Sequence, residues 1–238
     1  MILPTLRTGA EELGLRLSEE QFGQFEKYFH LLVEWNGRFN LTAVTDYTGV
    51  QTTHFLDSLS LVKSGIDFES LKVIDIGAGA GFPGLPLKVA FPAIKLILLE
   101  ATGKKAVFLK ETAAALGLEG VTVLNARAED AARQPDYRER IDLAVSRAVA
   151  SLDTLCELCL PFCRVGATFI AMKKGEIASE IEYAKAAIET LGGRLYEVKE
   201  ISLAGLPDPR QLVIIEKIKR TPPEYPRRSG IPAKNPLR

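Results

Sequence analysis

Short apolar runs and amphipathic stretches alternate along the chain between residues 72 and 191. Runs rich in Val, Ile and Leu predict strands that are buried on both faces, and the stretches between them repeat with helical periodicity. This alternation is typical of a doubly wound parallel sheet covered by helices. We predict strands at 72–76, 94–99, 121–125, 140–145 and 167–172, and helices at 83–91, 103–117, 152–163 and 176–191.

Two further apolar runs, at 195–203 and 211–218, end the alternating region. The loop between them is too short for the crossover helix that a parallel pair needs, so these strands should form an antiparallel hairpin. The predicted fold is therefore α/β, with a Rossmann-like doubly wound sheet that is mostly parallel and ends in a C-terminal antiparallel hairpin.

Helical patterns fill the chain before the first predicted strand. Ser18 and Gln21 form a capping-box pattern, and an apolar stripe begins at Phe22. A second helix is predicted from His54 to about Lys63, and we assign His54 to packing or capping rather than to catalysis. Three parts are expected: a helical extension at 1–65, the main domain at 66–218 and a C-terminal arm at 219–238.

Composition limits the classes of protein that the chain can represent. The 238 residues are 47% hydrophobic and carry no net charge. No apolar run approaches the roughly 20 residues that span a membrane, and the N-terminus shows no secretory pattern. We therefore expect a cytoplasmic protein without a membrane partner.

The C-terminal end departs from this neutral balance. Seven basic residues and one acid follow residue 216, which gives this end a net charge of +6. Five prolines in the same stretch disfavour a helix and favour an extended arm. With Tyr225 among the prolines, such an arm suits a phosphate backbone and a stacked base. A solubilising tail that contacts nothing is the alternative.

Three cysteines raise the question of a metal site. Cys156, Cys159 and Cys163 recur with Leu152 on one face of a predicted helix. A fourth ligand is missing, and both histidines lie far away in the sequence. We interpret the cysteines as buried apolar residues, so no metal site is expected.

A glycine-rich segment from Asp75 to Gly84 follows the first predicted strand. Glycine lets a ligand lie directly on the backbone, and this turn is the usual nucleotide site of an open α/β sheet. Gly79, Gly81 and Gly84 match the dinucleotide fingerprint. Asp75 with Gly77, Gly79 and Gly81 instead matches the pattern of methyltransferases that use S-adenosylmethionine (SAM). We favour SAM because Asp75 can reach its amino-acid part, whereas a carboxylate repels a pyrophosphate.

A second acid supports a nucleoside ligand. Glu100 ends the second predicted strand and lies 19 residues after Gly81. That spacing is close to the ~20 residues expected for an acid that hydrogen-bonds ribose hydroxyls. The alternative is that Glu100 only caps the helix that begins near Gly103.

Three more strand ends should face the same crevice. Ala128 and Glu129 follow the third strand and suit the face and the exocyclic amine of an adenine ring, or else only begin a helix. Arg147 follows the fourth strand and suits a phosphate, a carboxylate or a base, with a structural ion pair as the alternative. Lys173 and Lys174 end the fifth strand and favour a polyanionic substrate.

The motifs, taken in chain order, resemble those of the RsmG family, also called GidB (glucose-inhibited division protein B). The similar segments are 54–59, 75–84, 127–129, 146–148, 172–174 and 225–232. The resemblance extends from about residue 32 to the C-terminus. It implies a class I SAM-dependent rRNA (guanine-N7)-methyltransferase that modifies N7 of guanine 527, in the 530 loop of bacterial 16S ribosomal RNA.

Site residues follow in part from this resemblance and in part from the motifs above. The expected cofactor residues are Asp75, Gly77, Gly79, Gly81, Phe82, Glu100, Ala101, Thr102, Ala128, Glu129 and Arg147. The expected RNA contacts are Lys173, Lys174, Arg220, Arg227 and Arg228. The expected partner is 16S ribosomal RNA or a 30S assembly intermediate, and the protein is expected to be a monomer.

The chemistry of guanine N7 agrees with the residues available. N7 is an unprotonated lone pair at neutral pH, so the reaction needs alignment with the methyl donor and no general base. Arg147 is assigned to this orientation. A small-molecule SAM-dependent methyltransferase is the alternative function, and it would need a closed apolar pocket and no basic tail. A non-catalytic RNA-binding module would not need the SAM loop.

Overall fold

The computed structural model describes residues 2–147, 150–206 and 208–237, so Ala148 of the fourth-strand motif and Arg238 of the arm lie outside the described residues. The strands are β1 (Lys72–Ile76), β2 (Lys95–Leu99), β3 (Val121–Leu124), β4 (Ile141–Arg147), β5 (Cys163–Lys174), β6 (Gly193–Ile201) and β7 (Arg210–Lys217). The helices are α1 (Pro4–Leu13), α2 (Glu19–Asn36), α3 (Tyr47–Gly49), α4 (Asp57–Leu59), α5 (Gly84–Ala90), α6 (Gly103–Ala115), α7 (Ala128–Ala131), α8 (Leu152–Cys159), α9 (Ala178–Thr190) and α10 (Ile231–Lys234).

The seven strands form one sheet in the order β3-β2-β1-β4-β5-β7-β6. Strands β1 to β5 pair in parallel, and β7 lies antiparallel between β5 and β6. This confirms the predicted mostly parallel sheet with a C-terminal antiparallel hairpin. Within the described residues, no helix has both the length and the apolarity needed to cross a bilayer.

The sheet separates two apolar cores. Residues of α1, α2, α5 and α6 pack on one face, and residues of α7, α8 and α9 pack on the other. The N-terminal helices share their core with the sheet, since Phe25 and Phe55 belong to the same buried cluster as Val73. The Tyr28 hydroxyl also donates a hydrogen bond to the Ala80 carbonyl of the glycine loop. The predicted boundary between a helical extension at 1–65 and the main domain at 66–218 stays a prediction.

The predicted helix at 152–163 is too long. Helix α8 ends at Cys159, a 3-10 turn spans Leu160–Phe162, and Cys163 begins β5. Pro161 explains the end because proline lacks the N–H that would continue the helix and disfavours helical backbone before it. All three cysteines are nevertheless buried, and the described residues contain no cluster of metal-binding side chains.

The helix predicted from His54 begins earlier than expected. The single turn α3 continues into a π-helical segment (Val50–Leu56), then into α4 and a 3-10 segment (Ser60–Ser64). The predicted capping box of α2 is confirmed: the Ser18 hydroxyl accepts from the Gln21 N–H at 3.2 Å, and Gln21 Oε1 accepts from the Ser18 N–H at 2.7 Å.

The C-terminal end is not the extended, helix-free arm that its prolines predict. It packs on the main domain and contains α10, in which Pro232 occupies the first turn, where a missing N–H is tolerated. Arg133 and Arg138 hold this end by donating to its main-chain carbonyls, including those of Tyr225 and Pro226. Burial of Pro226 and Pro232 supplies apolar contact.

Candidate active site

A large cavity opens at the edge of the sheet where β1 to β5 end. Its volume is about 1200 Å³, which is ample for a nucleoside-sized ligand. The expected site residues on its wall are Gly77, Gly79, Phe82, Glu100, Ala101, Thr102, Ala128, Glu129, Arg147, Lys173 and Lys174. The expected site residues away from its wall are Asp75, Gly81, Arg220, Arg227 and Arg228.

The glycine loop supplies the floor of the cavity. Gly77, Gly79 and Gly81 have φ values of +73°, +58° and +95°, a region that other residues rarely adopt. A Cβ on Gly79 would meet only the Gly77 carbonyl, at 3.8 Å, so the space there is open for a ligand. A Cβ on Gly81 would lie 2.5 Å from Leu85 and 2.6 Å from the Tyr28 hydroxyl, so Gly81 permits close packing instead of ligand contact.

Asp75 lies behind the loop instead of on the wall. Its side chain is fully buried, and Oδ2 accepts a hydrogen bond from the Gly84 N–H at 2.8 Å. Oδ1 has no hydrogen-bond partner among the described residues. Burial raises the pKa of Asp75 to about 7, although the Gly84 hydrogen bond opposes that rise. In this position Asp75 supports the turn into α5.

Glu100 joins two loops at the cavity wall. Oε2 accepts from the Gly79 N–H at 2.9 Å, and Oε1 accepts from the Thr102 N–H at 2.7 Å. Glu100 is only 7% exposed, so these hydrogen bonds compensate for burial of its charge. A carboxylate carries about four acceptor sites, so both oxygens retain lone pairs for ribose hydroxyls.

Glu129 faces the same cavity from the third strand end, and the C-terminal end of the chain completes the wall beside it. The Gly230 N–H donates to Glu129 Oε1 at 2.8 Å, and the Ser229 hydroxyl donates to Asp130 Oδ2 at 3.1 Å. Ser229, Gly230 and Ala233 line the cavity. The basic and proline-rich composition of this end gave no signal for such a position.

Arg147 forms the ion pair that was its alternative role, with a partner, Asp57, that the sequence did not identify. Its Nη1 donates to Asp57 Oδ2 at 2.8 Å and to the Thr53 carbonyl at 2.9 Å. Arg210 donates from Nε to the other Asp57 oxygen at 2.8 Å. The Arg147 guanidinium also lies 5.0 Å from the centroid of the Phe82 ring. The structural ion pair and the cavity position of Arg147 therefore occur together.

His54 also reaches the cavity wall, although the sequence favoured a packing role. Its ring stacks on Phe82 with centroids 4.5 Å apart, and its Nε2 lies 2.7 Å from the Thr42 hydroxyl. Arg147 Nη2 lies 3.4 Å from His54 Nδ1. Burial, with help from the nearby Arg147 charge, lowers the pKa of His54 to about 4. The ring is therefore neutral at pH 7 and stacks as an aromatic group.

The five expected RNA contacts divide into two groups. Lys174, Arg220 and Arg228 are exposed. Lys173 donates to Glu180 at 2.6 Å, and Arg227 forms a two-point ion pair with Glu157, with Nη2 at 2.6 Å from Oε2. The charges of the second group are therefore compensated within the protein.

Comparisons with known proteins agree with this geometry. The family model GidB, rRNA small subunit methyltransferase G, matches residues 21–212. Ribosomal RNA small subunit methyltransferase G of Dehalococcoides mccartyi (strain CBDB1) is 55% identical over 229 residues, which cover 96% of this chain and 97% of the relative. The protein of the same name from Roseiflexus sp. (strain RS-1) is 48% identical over 237 residues, 100% of this chain and 99% of the relative.

Solved structures share the fold at lower identity. A SAM dependent methyltransferase from Aquifex aeolicus matches with a TM-score of 0.54 at 16% identity, covering 74% of this chain and 96% of that one. M. jannaschii TYW2 in complex with AdoMet matches with a TM-score of 0.52 at 19% identity, covering 68% and 77%. The fold is thus that of class I SAM-dependent methyltransferases, and by sequence the chain belongs to the rRNA small subunit methyltransferase G family.

Proposed function

We propose that this chain transfers a methyl group to N7 of a guanine in small-subunit ribosomal RNA, at guanine 527 of the 530 loop. The observation that carries the proposal is the meeting of Gly79, Glu100 and Glu129 in one cavity that has an exposed cation, Lys174, on its rim. SAM, when bound, supplies the electrophilic methyl group. The protein supplies binding, orientation and charge.

The cavity residues suit the three parts of SAM. The open space at Gly79 suits the amino-acid part, with Gly77 beside it on the wall, and Glu100 offers acceptors for the ribose hydroxyls. Glu129 offers an acceptor for the adenine amine, with Ala128 beside it. Asp75 and Gly81 contribute from behind the loop, because one supports the turn into α5 and the other allows its close packing.

The groups around Arg147 suit a reaction without a general base. Guanine N7 needs only to be aligned with the methyl group, and small displacements are costly in such a reaction. His54 is neutral at pH 7 and so adds no positive charge beside a sulfonium. Asp57 fixes Arg147 from one side, which leaves the guanidinium face near Phe82 in a defined position.

The substrate surface follows from the exposed cations. Lys174 stands on the cavity rim, while Arg220 and Arg228 add positive charge on the C-terminal end. Lys173 and Arg227 contribute by holding that rim and that end in place through their ion pairs. We further propose 16S ribosomal RNA or a 30S assembly intermediate as the partner, a monomeric state and a cytoplasmic location.

The test is to map the transferred methyl group. Purified protein is incubated with methyl-tritiated SAM and, separately, with stripped 16S RNA, 30S particles and a small-metabolite fraction. Label at the target guanine in either RNA sample supports the proposal. Label that enters only the small-metabolite fraction supports the small-molecule alternative, and loss of transfer with guanine replaced by 7-deazaguanine in a synthetic RNA supports N7.

A further inference from the structure

The C-terminal segment, defined here as residues 221–237, forms part of the cofactor cavity. Ser229, Gly230 and Ala233 line it together with Ala128 and Glu129. This position is unexpected for a stretch whose charge and prolines predict a nucleic-acid arm. A segment that carries part of the cavity wall has a direct effect on the ligand inside.

We propose that the C-terminal segment retains the cofactor and positions Glu129 for recognition of the adenine ring. The Gly230 N–H holds Glu129 Oε1 at 2.8 Å, and Oε2 takes no hydrogen bond from the described residues. Oε2 is thus presented as an acceptor for an exocyclic amine. The inference rests on the cofactor site proposed above and does not require RNA to be the substrate.

The segment is fixed to the same helix that forms another part of the wall. Glu157 of α8 is 1% exposed and accepts from the Arg227 N–H at 2.7 Å as well as from its guanidinium. Thr154, also in α8, lines the cavity and donates to the Pro232 carbonyl at 3.3 Å. Because both anchors lie in α8, loss of the ion pair should loosen the wall where it meets Glu129.

A fixed acceptor has a specific energetic consequence. A carboxylate that its neighbours already hold loses little side-chain freedom when a ligand binds. Glu129 should therefore discriminate an adenine, which donates from its amine, from a hypoxanthine, which has a carbonyl at that position. A segment that only stabilised the fold would not affect this discrimination.

The experiment compares two basic residues of the C-terminal segment. Arg227→Gln breaks the anchor, whereas Lys234→Gln removes the same charge from an exposed side chain that does not line the cavity. Calorimetry measures the Kd of S-adenosylhomocysteine and of its deaminated analogue, S-inosylhomocysteine. We expect Arg227→Gln to weaken binding of S-adenosylhomocysteine by on the order of tenfold and to reduce the preference for it over the analogue, with both values unchanged in Lys234→Gln.

Two further measurements cover the case in which Arg227→Gln fails to fold because Glu157 stays buried without its partner. The double variant Glu157→Gln/Arg227→Gln removes that charge and should show the same loss of preference. In the unmodified protein, S-adenosylhomocysteine should slow hydrogen exchange in residues 225–234 and leave β6 unchanged. Parent-like affinities with no such protection would overturn the proposal. No binding to the unmodified protein would instead contradict the proposed function.

Discussion

Asp57 is the residue on which two arginines of the cavity depend. It accepts from Arg147 at the end of β4 and from Arg210 at the start of β7. The carboxylate is 6% exposed, so each guanidinium compensates for burial of its charge. Single residues of this kind set the geometry of the site.

Arg147→Lys should lower methyl transfer on the order of tenfold to a hundredfold. Lysine keeps the charge but loses the planar group that contacts Asp57, Thr53 and the Phe82 face together. The Kd of SAM should change much less than the rate. Single-turnover kinetics measures the first effect and calorimetry the second. Arg164→Lys is the control, because Arg164 forms an exposed ion pair with Asp142 away from the cavity. Full activity in Arg147→Lys would show that only the positive charge at this position is needed, and not the planar guanidinium.

Gly79→Val should abolish SAM binding. A branched side chain at this position would fill the space that is open to a ligand. The φ of Gly79, +58°, is also unfavourable for valine. Gly65→Val controls for the backbone strain, since Gly65 has φ +79° and no neighbouring atom within 4 Å of its Cβ position. Both variants are compared by thermal melting and by calorimetry with SAM. Unchanged affinity for SAM in Gly79→Val would show that the glycine loop is not part of the SAM-binding site.

His54 should make the protein less stable as the pH falls below about 6.5. The folded state lowers the pKa of His54 from 6.5 to about 4, so only the unfolded chain takes up this proton in between. The loss should reach about 1 kcal/mol of unfolding free energy by about pH 5.5.

Comparison with His54→Phe isolates this effect. Phenylalanine keeps an aromatic ring against Phe82 but cannot titrate. Asp75 acts in the opposite direction, because its raised pKa favours the folded state as the pH falls from about 7, and it does so equally in both proteins. Urea unfolding at several pH values gives the difference. Parallel pH profiles for the two proteins would contradict the assignment to His54.

At the scale of elements, one side chain ties two helices together. Gln21 closes the capping box of α2 and also donates from Nε2 to the Val89 and Ala90 carbonyls at the end of α5, at 2.7 and 3.2 Å. The start of α2 is thereby fixed to the helix that follows the glycine loop.

Ser18→Ala should lower the free energy of unfolding by about 1 kcal/mol, the usual cost of a lost N-cap. Gln21→Ala keeps the hydrogen bond from the backbone N–H of residue 21 to Ser18, but it removes the other half of the capping box and leaves two carbonyls of α5 without this donor. It should therefore cost more than Gln21→Glu, which keeps the capping-box acceptor and lacks only the donor to α5. Denaturant titrations measure all three values. If Gln21→Glu costs nothing, the contact with α5 does not contribute to stability.

Element prediction succeeded where local pattern decides the structure. Buried strands such as β1 and β2 are rich in Val, Ile and Leu, and the short β6–β7 connection admits only an antiparallel pair. The predicted end of α8 was wrong because it followed the helical periodicity of the apolar residues past Pro161. The proline ends the helix, and α8 stops at Cys159. The prediction of an extended arm was wrong because it considered only the number of prolines. In the structure Pro226 and Pro232 are buried against the main domain.

At the scale of the whole molecule, positive charge should set the salt dependence of RNA binding. Lys174→Gln should make the slope of log affinity against log salt shallower by about one unit for each lost phosphate contact. Lys95→Gln is the matched control, because Lys95 is exposed at the opposite, N-terminal edge of the parallel strands. Filter binding to 16S RNA at several salt concentrations measures the slope. Equal slopes for the two variants would show that Lys174 does not contact an RNA phosphate.

The site was predictable only where it follows from strand ends. Glycines after β1 and an acid after β2 lie at fixed places in the topology, so the position of Gly79 and Glu100 at the cavity could be predicted from the sequence. Partners from distant segments carry no local signal. Asp57 meets Arg210 across 153 residues of sequence, and Gly230 meets Glu129 across 101.

The span of the cavity wall has a consequence for synthesis of the protein. The wall begins at Leu41 and is not complete until Ala233, in a chain of 238 residues. A nascent chain can form the sheet as soon as β7 has emerged, yet it lacks the last part of the wall until Ala233 has emerged as well. The cavity is therefore completed after the sheet, because Ser229, Gly230 and Ala233 are the last residues of its wall to be synthesised.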